Sequence, residues 1–234
     1  MKKIISITCF ILISIVFPQN NITNTLGTGG VFSINDGSTT FFSLSQSDGR
    51  ITLPVTTSPP LGVIFKGDDR FVHDFSPVGS EGANTFIGIN SGNFTMSFTT
   101  GAEASRNTGI GFSSLSSLTT GFVNTACGNN TLSSNSTGYG NSAMGHGALY
   151  SNTTGNRNTA LGSNSLQNNT TGNDNTASGL FSLFSNTTGS NNTATGLPAL
   201  HSNITGFQNT AVGHHSLENN NGNYNTALGY NAGS

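Results

Sequence analysis

Residues 158–174 read NTALGSNSLQNNTTGND, and residues 175–191 follow at once as NTASGLFSLFSNTTGSN. The same opening recurs in both directions. Units start NTGIGFSSL at Asn107, NTACGNNTL at Asn124, NSAMGHGAL at Asn141, NTATGLPAL at Asn192 and NTAVGHHSL at Asn209. With Asn158 and Asn175 these give six successive intervals of 17 residues; NTALGYNAG at Asn225 follows after 16, and NTFIGINSG at Asn84 precedes by 23. A fixed period of this length is the signature of a stacked-repeat fold, in which each unit contacts only its neighbours. The long first interval reads as a loop insertion over residues 96–106.

Counting each Asn as the first residue of its unit, the third is small: Gly109, then Ala126, Ala143, Ala160, Ala177, Ala194, Ala211 and Ala227. The fifth is always glycine: Gly111, Gly128, Gly145, Gly162, Gly179, Gly196, Gly213 and Gly229. The ninth is leucine in every full unit: Leu115, Leu132, Leu149, Leu166, Leu183, Leu200 and Leu217. A second glycine closes each unit, at Gly121, Gly138, Gly155, Gly172, Gly189, Gly206 and Gly222. Two glycines per unit imply two tight turns and hence two short strands. Such a unit is too short for a helical hairpin but suits one rung of a parallel β-solenoid, with rungs about 4.8 Å apart. The expected fold is all-β: about eight rungs in a short rod.

In such a stack every column repeats one residue type. The leucines form the expected hydrophobic spine, each contributing about 1.5–3 kcal/mol on burial. Asn107, Asn124, Asn141, Asn158, Asn175, Asn192, Asn209 and Asn225 form an amide ladder, each side chain bonding the copies above and below. The fourth column is mixed, with Ile110, Cys127, Met144, Leu161, Ser178, Thr195, Val212 and Leu228. Ser and Thr fit an enclosed core poorly, so this column is either partly exposed or faces another subunit.

Three segments follow. Residues 1–19 read as an export signal: Lys2 and Lys3, then an apolar run over residues 4–17 too short for a comfortable bilayer span. Residues 20–83 form a β stem or adaptor, with VFSI, TTFFSLS, GRITLPV and LGVIFK as strands between turns. Its Phe32, Phe41, Phe42, Phe65 and Phe71 call for packing against the first rung or sister chains. Residues 84–234 are the array. Signal cleavage leaves no transmembrane segment and Cys127 as the one thiol, so no intrachain disulfide forms.

The repeats NTALG, NTAVG and NSAMG followed by AL or SL resemble the head repeats of trimeric autotransporter adhesins of the YadA type. They are also similar to the arrays of bacterial tail-fibre-like surface proteins, and STTFFSLSQSDGRITLP resembles what precedes such arrays. The resemblance implies a left-handed parallel β-roll, three chains wound side by side, and attachment at the cell surface.

Charged residues are 7% of the chain, 7 basic against 9 acidic, with no run of either sign to track a nucleic-acid backbone. Arg157, Asp174 and Glu218 read as isolated solvated residues in different columns or distant rungs. His146, His201, His214 and His215 lack the spacing that aims several ligands at one ion, and Asp174 alone cannot supply the per-turn aspartate of calcium-binding solenoids. Cys127 reads as a small apolar residue. Catalytic, cofactor and metal sites are therefore all expected to be absent. The N-x-T triplets at Asn152, Asn169, Asn186 and Asn203 arise from the repeat and are glycosylation acceptors only in a host with that machinery.

The leading expectation is a secreted or surface-held homotrimeric rod whose polar sides bind cells, glycans or matrix. A self-assembling filament, joined end to end through an uncapped last rung at Ser234, is the alternative. Ice binding is motivated by the Thr columns starting at Thr108 and Thr120, but the pattern lacks a paired Thr-x-Thr face.

Overall fold

The computed structural model describes residues 31–35, 40–45, 51–52, 64–66, 69–97 and 101–234. The export signal read over residues 1–19 lies outside them. Two compact units divide at Leu53 and Pro54. In the first, β1 (Val31–Asn35) pairs antiparallel with β2 (Thr40–Ser45), which pairs antiparallel with β3 (Ile51–Thr52).

The second unit is a parallel β-solenoid. An antiparallel pair, β4 (Ile64–Lys66) and β5 (Asp69–His73), leads into β6 (Thr85–Ile87). From there each coil adds one parallel strand: β7 (Thr108–Ile110), β8 (Thr125–Cys127), β9 (Ser142–Met144), β10 (Thr159–Leu161), β11 (Thr176–Ser178), β12 (Thr193–Thr195), β13 (Thr210–Val212) and β14 (Thr226–Leu228). Register is strict. Thr159 pairs with Thr176, Ala160 with Ala177 and Leu161 with Ser178. Within a strand the alanine points inward and its neighbours outward, the ordinary strand alternation. Alanine suits the inward place because the Asn and Leu columns flank it in the same narrow interior.

Each coil holds one strand of three residues, not two. The reason lies in the backbone around the ninth residue. Leu115, Leu132, Leu166 and Leu183 have φ of 53°, 51°, 50° and 49°, a left-handed conformation that turns the chain where a second strand was expected. A bulky residue there costs roughly 1–2 kcal/mol. Full burial of the leucine offsets that cost, and its amide donates to the next coil, as Leu166 N does to Ser182 O at 3.0 Å. The fifth-position glycines are demanded more strictly. Gly162 has φ of +136°, and a Cβ there lies 2.6 Å from Gly179 O, the backbone of the next coil.

The head of the stack departs from the repeat in a compensated way. Where later coils have Leu in the ninth position, the coil starting at Asn84 has Gly92, and where they have Ala in the third it has Phe86. The Phe86 ring occupies the leucine space: a Cβ on Gly92 lies 2.5 Å from its Cγ. The next coil has Gly109 where later ones have Ala, and a Cβ there lies 2.9 Å from Phe86 Cδ1. Above Phe86 sit His73, with ring centroids 4.9 Å apart, and Phe94, 4.6 Å from His73 and 4.9 Å from Phe75. His73 Nδ1 accepts from Phe75 N at 3.3 Å, which leaves Nε2 to donate to Ser91 O at 2.7 Å. This aromatic plug covers the apolar interior at the first coil.

One expectation is corrected here. Residues 96–106 are not wholly a loop insertion, because Met96 and Ala104 belong to the buried core and Ala104 N donates to Thr120 O at 3.0 Å. Phe71, expected to pack on the first rung or on a sister chain, is 37% exposed in the single chain, and Phe75, Phe86 and Phe94 seal the first coil. The side chains of Phe32, Phe41, Phe42 and Phe65 lie outside the described residues.

Candidate functional site

Among the described residues the array's chemistry is arranged in columns, two inside and several outside. The inner first-position column is a continuous amide ladder. Asn175 N and Nδ2 both donate to Asn158 Oδ1, at 3.0 and 3.2 Å, and Nδ2 donates again to Gly189 O at 2.8 Å. Asn175 Oδ1 in turn accepts from Asn192 N and Nδ2 at 3.0 and 3.1 Å. The pattern repeats from Asn84, which accepts from Asn107, to Asn225, which donates to Asn209. From Asn107 to Asn209 each amide is fully buried and hydrogen-bonded within the chain, as a buried polar group requires.

A second inner ladder was missed from sequence. The twelfth position carries Asn135, Asn152, Asn169, Asn186 and Asn203, all fully buried. Asn169 Nδ2 donates to Asn152 Oδ1 at 2.8 Å and to Gly172 O at 3.1 Å, closing the turn of its own coil. Four of these were read as the N-x-T glycosylation acceptors, and burial with Nδ2 engaged removes that role from the folded chain. The signal was present as a recurring Asn, but it was absorbed into the triplet motif. The ladder stops where the repeat is one residue short: Asn220 bonds its own Gly222, and Asn203 Oδ1 is left buried without a partner in the chain.

Outside, the charged residues are not isolated as expected. Arg157 and Asp174 both occupy the seventeenth position, in adjacent coils. Arg157 Nε and Nη2 donate to Asp174 Oδ1 and Oδ2, each at 2.7 Å, and Nη1 donates to Tyr139 Oη at 2.7 Å. The guanidinium holds the Asp174 carboxyl below its ordinary range, and the same hydrogen bonds raise Arg157. His215 Nδ1 likewise contacts Glu218 Oε2 at 2.5 Å. Among the described residues no group of three or more His, Cys, Asp or Glu side chains could hold a metal ion. No described helix is long and apolar enough to cross a membrane.

Hydroxyls fall into two classes. Those of Thr119, Ser136, Thr153, Thr170 and Thr187, in the thirteenth position, donate to carbonyls of the next coil. Those of the second position (Thr125, Ser142, Thr176, Thr210) and of the fourteenth (Thr137, Thr154, Thr171, Thr188) sit on exposed residues. The fourteenth position is exposed in these four successive coils, whereas Thr159 and Thr193 of the second are half-buried.

The fourth position faces outward as well, as both readings of it require of the single chain. Met144 is 57% and Leu161 44% exposed, so Ser178 and Thr195 cost nothing there. No protein-family model, curated protein or solved structure matches the chain.

Proposed function

We propose that the chain is an exported structural and adhesive protein whose coil stack offers a repeating, nearly uncharged polar surface to cells, glycans or matrix. The observation that carries this is the exposed hydroxyl column through Thr137, Thr154, Thr171 and Thr188, with Thr125, Ser142 and Thr176 of the second position exposed as well. Each hydroxyl offers one donor and two acceptor sites. A single contact of that kind is weak, but a partner that repeats, such as a polysaccharide, engages many at once, and several copies multiply the gain. Rigidity helps, because ladders that fix every coil keep the hydroxyl spacing constant and limit the ordering cost on binding. Three copies acting together is the arrangement the adhesin resemblance implies.

The test is attachment of the full chain, clustered on beads, to a glycan array and to cultured cells. The expected result is saturable attachment that falls at least tenfold when Thr137, Thr154, Thr171 and Thr188 are replaced together by Val. Attachment no better than that of an unrelated neutral protein overturns the proposal.

A further inference from the structure

The coils that start from Asn107 to Asn192 span 17 residues, whereas the one that starts at Asn209 spans 16. Alignment on its leucine and its closing glycine locates the loss. Regular coils read N-T-T-G from the twelfth to the fifteenth position, as residues 169–172 do, but here Asn220 and Asn221 lead straight into Gly222. Loss of the fourteenth residue sets an asparagine directly before a glycine, the one Asn-Gly pair in the chain.

The Asn221 side chain absorbs the change. In a regular coil the amides of the thirteenth and fourteenth residues both donate to the thirteenth carbonyl of the next coil, as Thr170 N and Thr171 N do to Thr187 O at 2.8 and 3.2 Å. Ile204 N and Thr205 N hold the same two positions and donate instead to Asn221 Oδ1, at 2.8 and 3.1 Å. A side-chain amide therefore stands where other coils present a main-chain carbonyl. Its oxygen rests on two fixed N–H donors at roughly the 2.7–3.1 Å that an oxyanion hole requires. The nucleophile next to its Cγ is Gly222 N. Gly222 has no Cβ to hinder approach, both residues are exposed, and the bond from Gly222 N–H to Asn220 Oδ1 is long, at 3.3 Å.

We propose that the folded chain converts Asn221 to a succinimide and then to aspartate or isoaspartate, with the amides of Ile204 and Thr205 stabilising the ring-closing step. Hydroxide takes the Gly222 amide proton, and the nitrogen bonds to Asn221 Cγ. The carbonyl electron pair moves onto Oδ1, where the two N–H groups meet the new charge. Collapse of the tetrahedral carbon expels Nδ2, which takes a proton from water and leaves as ammonia. Water then opens the ring at either carbonyl and leaves a carboxylate, so that one water is consumed and one ammonia released overall. An aspartate carboxylate accepts from the same two amides through charge-assisted bonds. The isoaspartate route lengthens the main chain by one carbon, in the coil that lacks a residue. Either product adds a negative charge to an array in which Arg157, Asp174 and Glu218 are the charged residues beyond Arg106. The conversion does not depend on the attachment reading.

The experiment is incubation of the freshly purified full chain at mildly alkaline pH beside a free peptide of residues 216–226, with peptide mapping by mass spectrometry. The mass gain of an amide turned carboxylate is expected at Asn221 at least about fivefold faster in the chain, because the peptide has the same Asn-Gly pair but lacks the two donors. Unfolding the chain in urea is expected to bring its rate down to that of the peptide. Asn219 and Asn223, exposed in the same coil, are expected to remain amides over the same interval. A smaller ratio of chain to peptide overturns the proposal, and so does conversion of Asn219 or Asn223 at the rate of Asn221.

Discussion

Replacing Asn175 by Ala removes one amide from the middle of the first-position ladder, and the cost follows from its partners. Two donated bonds disappear, Nδ2 to Asn158 Oδ1 at 3.2 Å and to Gly189 O at 2.8 Å. More serious is the lost acceptor. Asn192 N and Nδ2 both bond to Asn175 Oδ1; Nδ2 retains Gly206 O, but the buried backbone N–H has no other partner. An orphaned buried donor costs about 1–3 kcal/mol and each net neutral bond about 1 kcal/mol, so the sum is roughly 3–5 kcal/mol. Asn225→Ala offers the control. Asn225 is half-buried at the last coil, and its replacement removes one donor to Asn209 Oδ1, its Nδ2, while the backbone N–H keeps its bond and no following amide is orphaned; the expected cost is about 1 kcal/mol. The assay is urea unfolding followed by far-UV circular dichroism, with midpoints compared at equal slope. Equal midpoints for the two variants refute the reasoning, because the ladder is then no more demanding inside the stack than at its end.

Four further outcomes follow from the same geometry. Gly109→Ala is expected to destabilise the wild type, because its Cβ meets Phe86 Cδ1 at 2.9 Å, but to be neutral or stabilising beside Phe86→Ala and Gly92→Leu; a double-mutant cycle with no coupling counts against the plug. Gly162→Ala is expected to cost several kcal/mol, since φ of +136° and a backbone contact at 2.6 Å oppose any side chain; a midpoint within error of wild type contradicts this. The Arg157–Asp174 pair stabilises only while Asp174 is ionised. Its native pKa is lowered, so that contribution is complete above the ordinary aspartate range and is lost as pH falls through the depressed native value. Both side chains are substantially exposed and screened, so Asp174→Asn is expected to leave the neutral-pH midpoint almost unchanged, and a large drop refutes that. Finally, expression in a host that adds N-linked glycans is expected to give folded protein without glycan at Asn152, Asn169, Asn186 or Asn203; mass spectrometry finding one at Asn169 in folded material counts against the second ladder.

The period, the leucine spine, the glycine corners and the first Asn column could be read directly because a stacked fold turns sequence period into spatial column. What escaped the reading depends on backbone conformation or on compensation between positions. Nothing about Leu166 as a residue type announces a φ of 50°, so the ninth position passed for strand. The twelfth-position Asn looked like a by-product of a surface motif, since burial is invisible in N-T-T. Arg157 and Asp174 could have been paired by counting positions, as both are seventeenth in their units. Phe86, Gly92 and Gly109 each break a column when taken singly; only the shared volume shows that the three departures are one substitution.

The central claim is that each coil repeats its predecessor in register, one interstrand step along the axis. Nitroxide labels on pairs of second-position residues, diluted into unlabelled protein, test it most directly. Pairing Thr108 with Thr176, Thr193 and Thr210 in turn is expected to give narrow distributions whose centres increase by about 4.8 Å per added coil. Broad distributions, or centres that do not grow with the number of intervening coils, contradict the account.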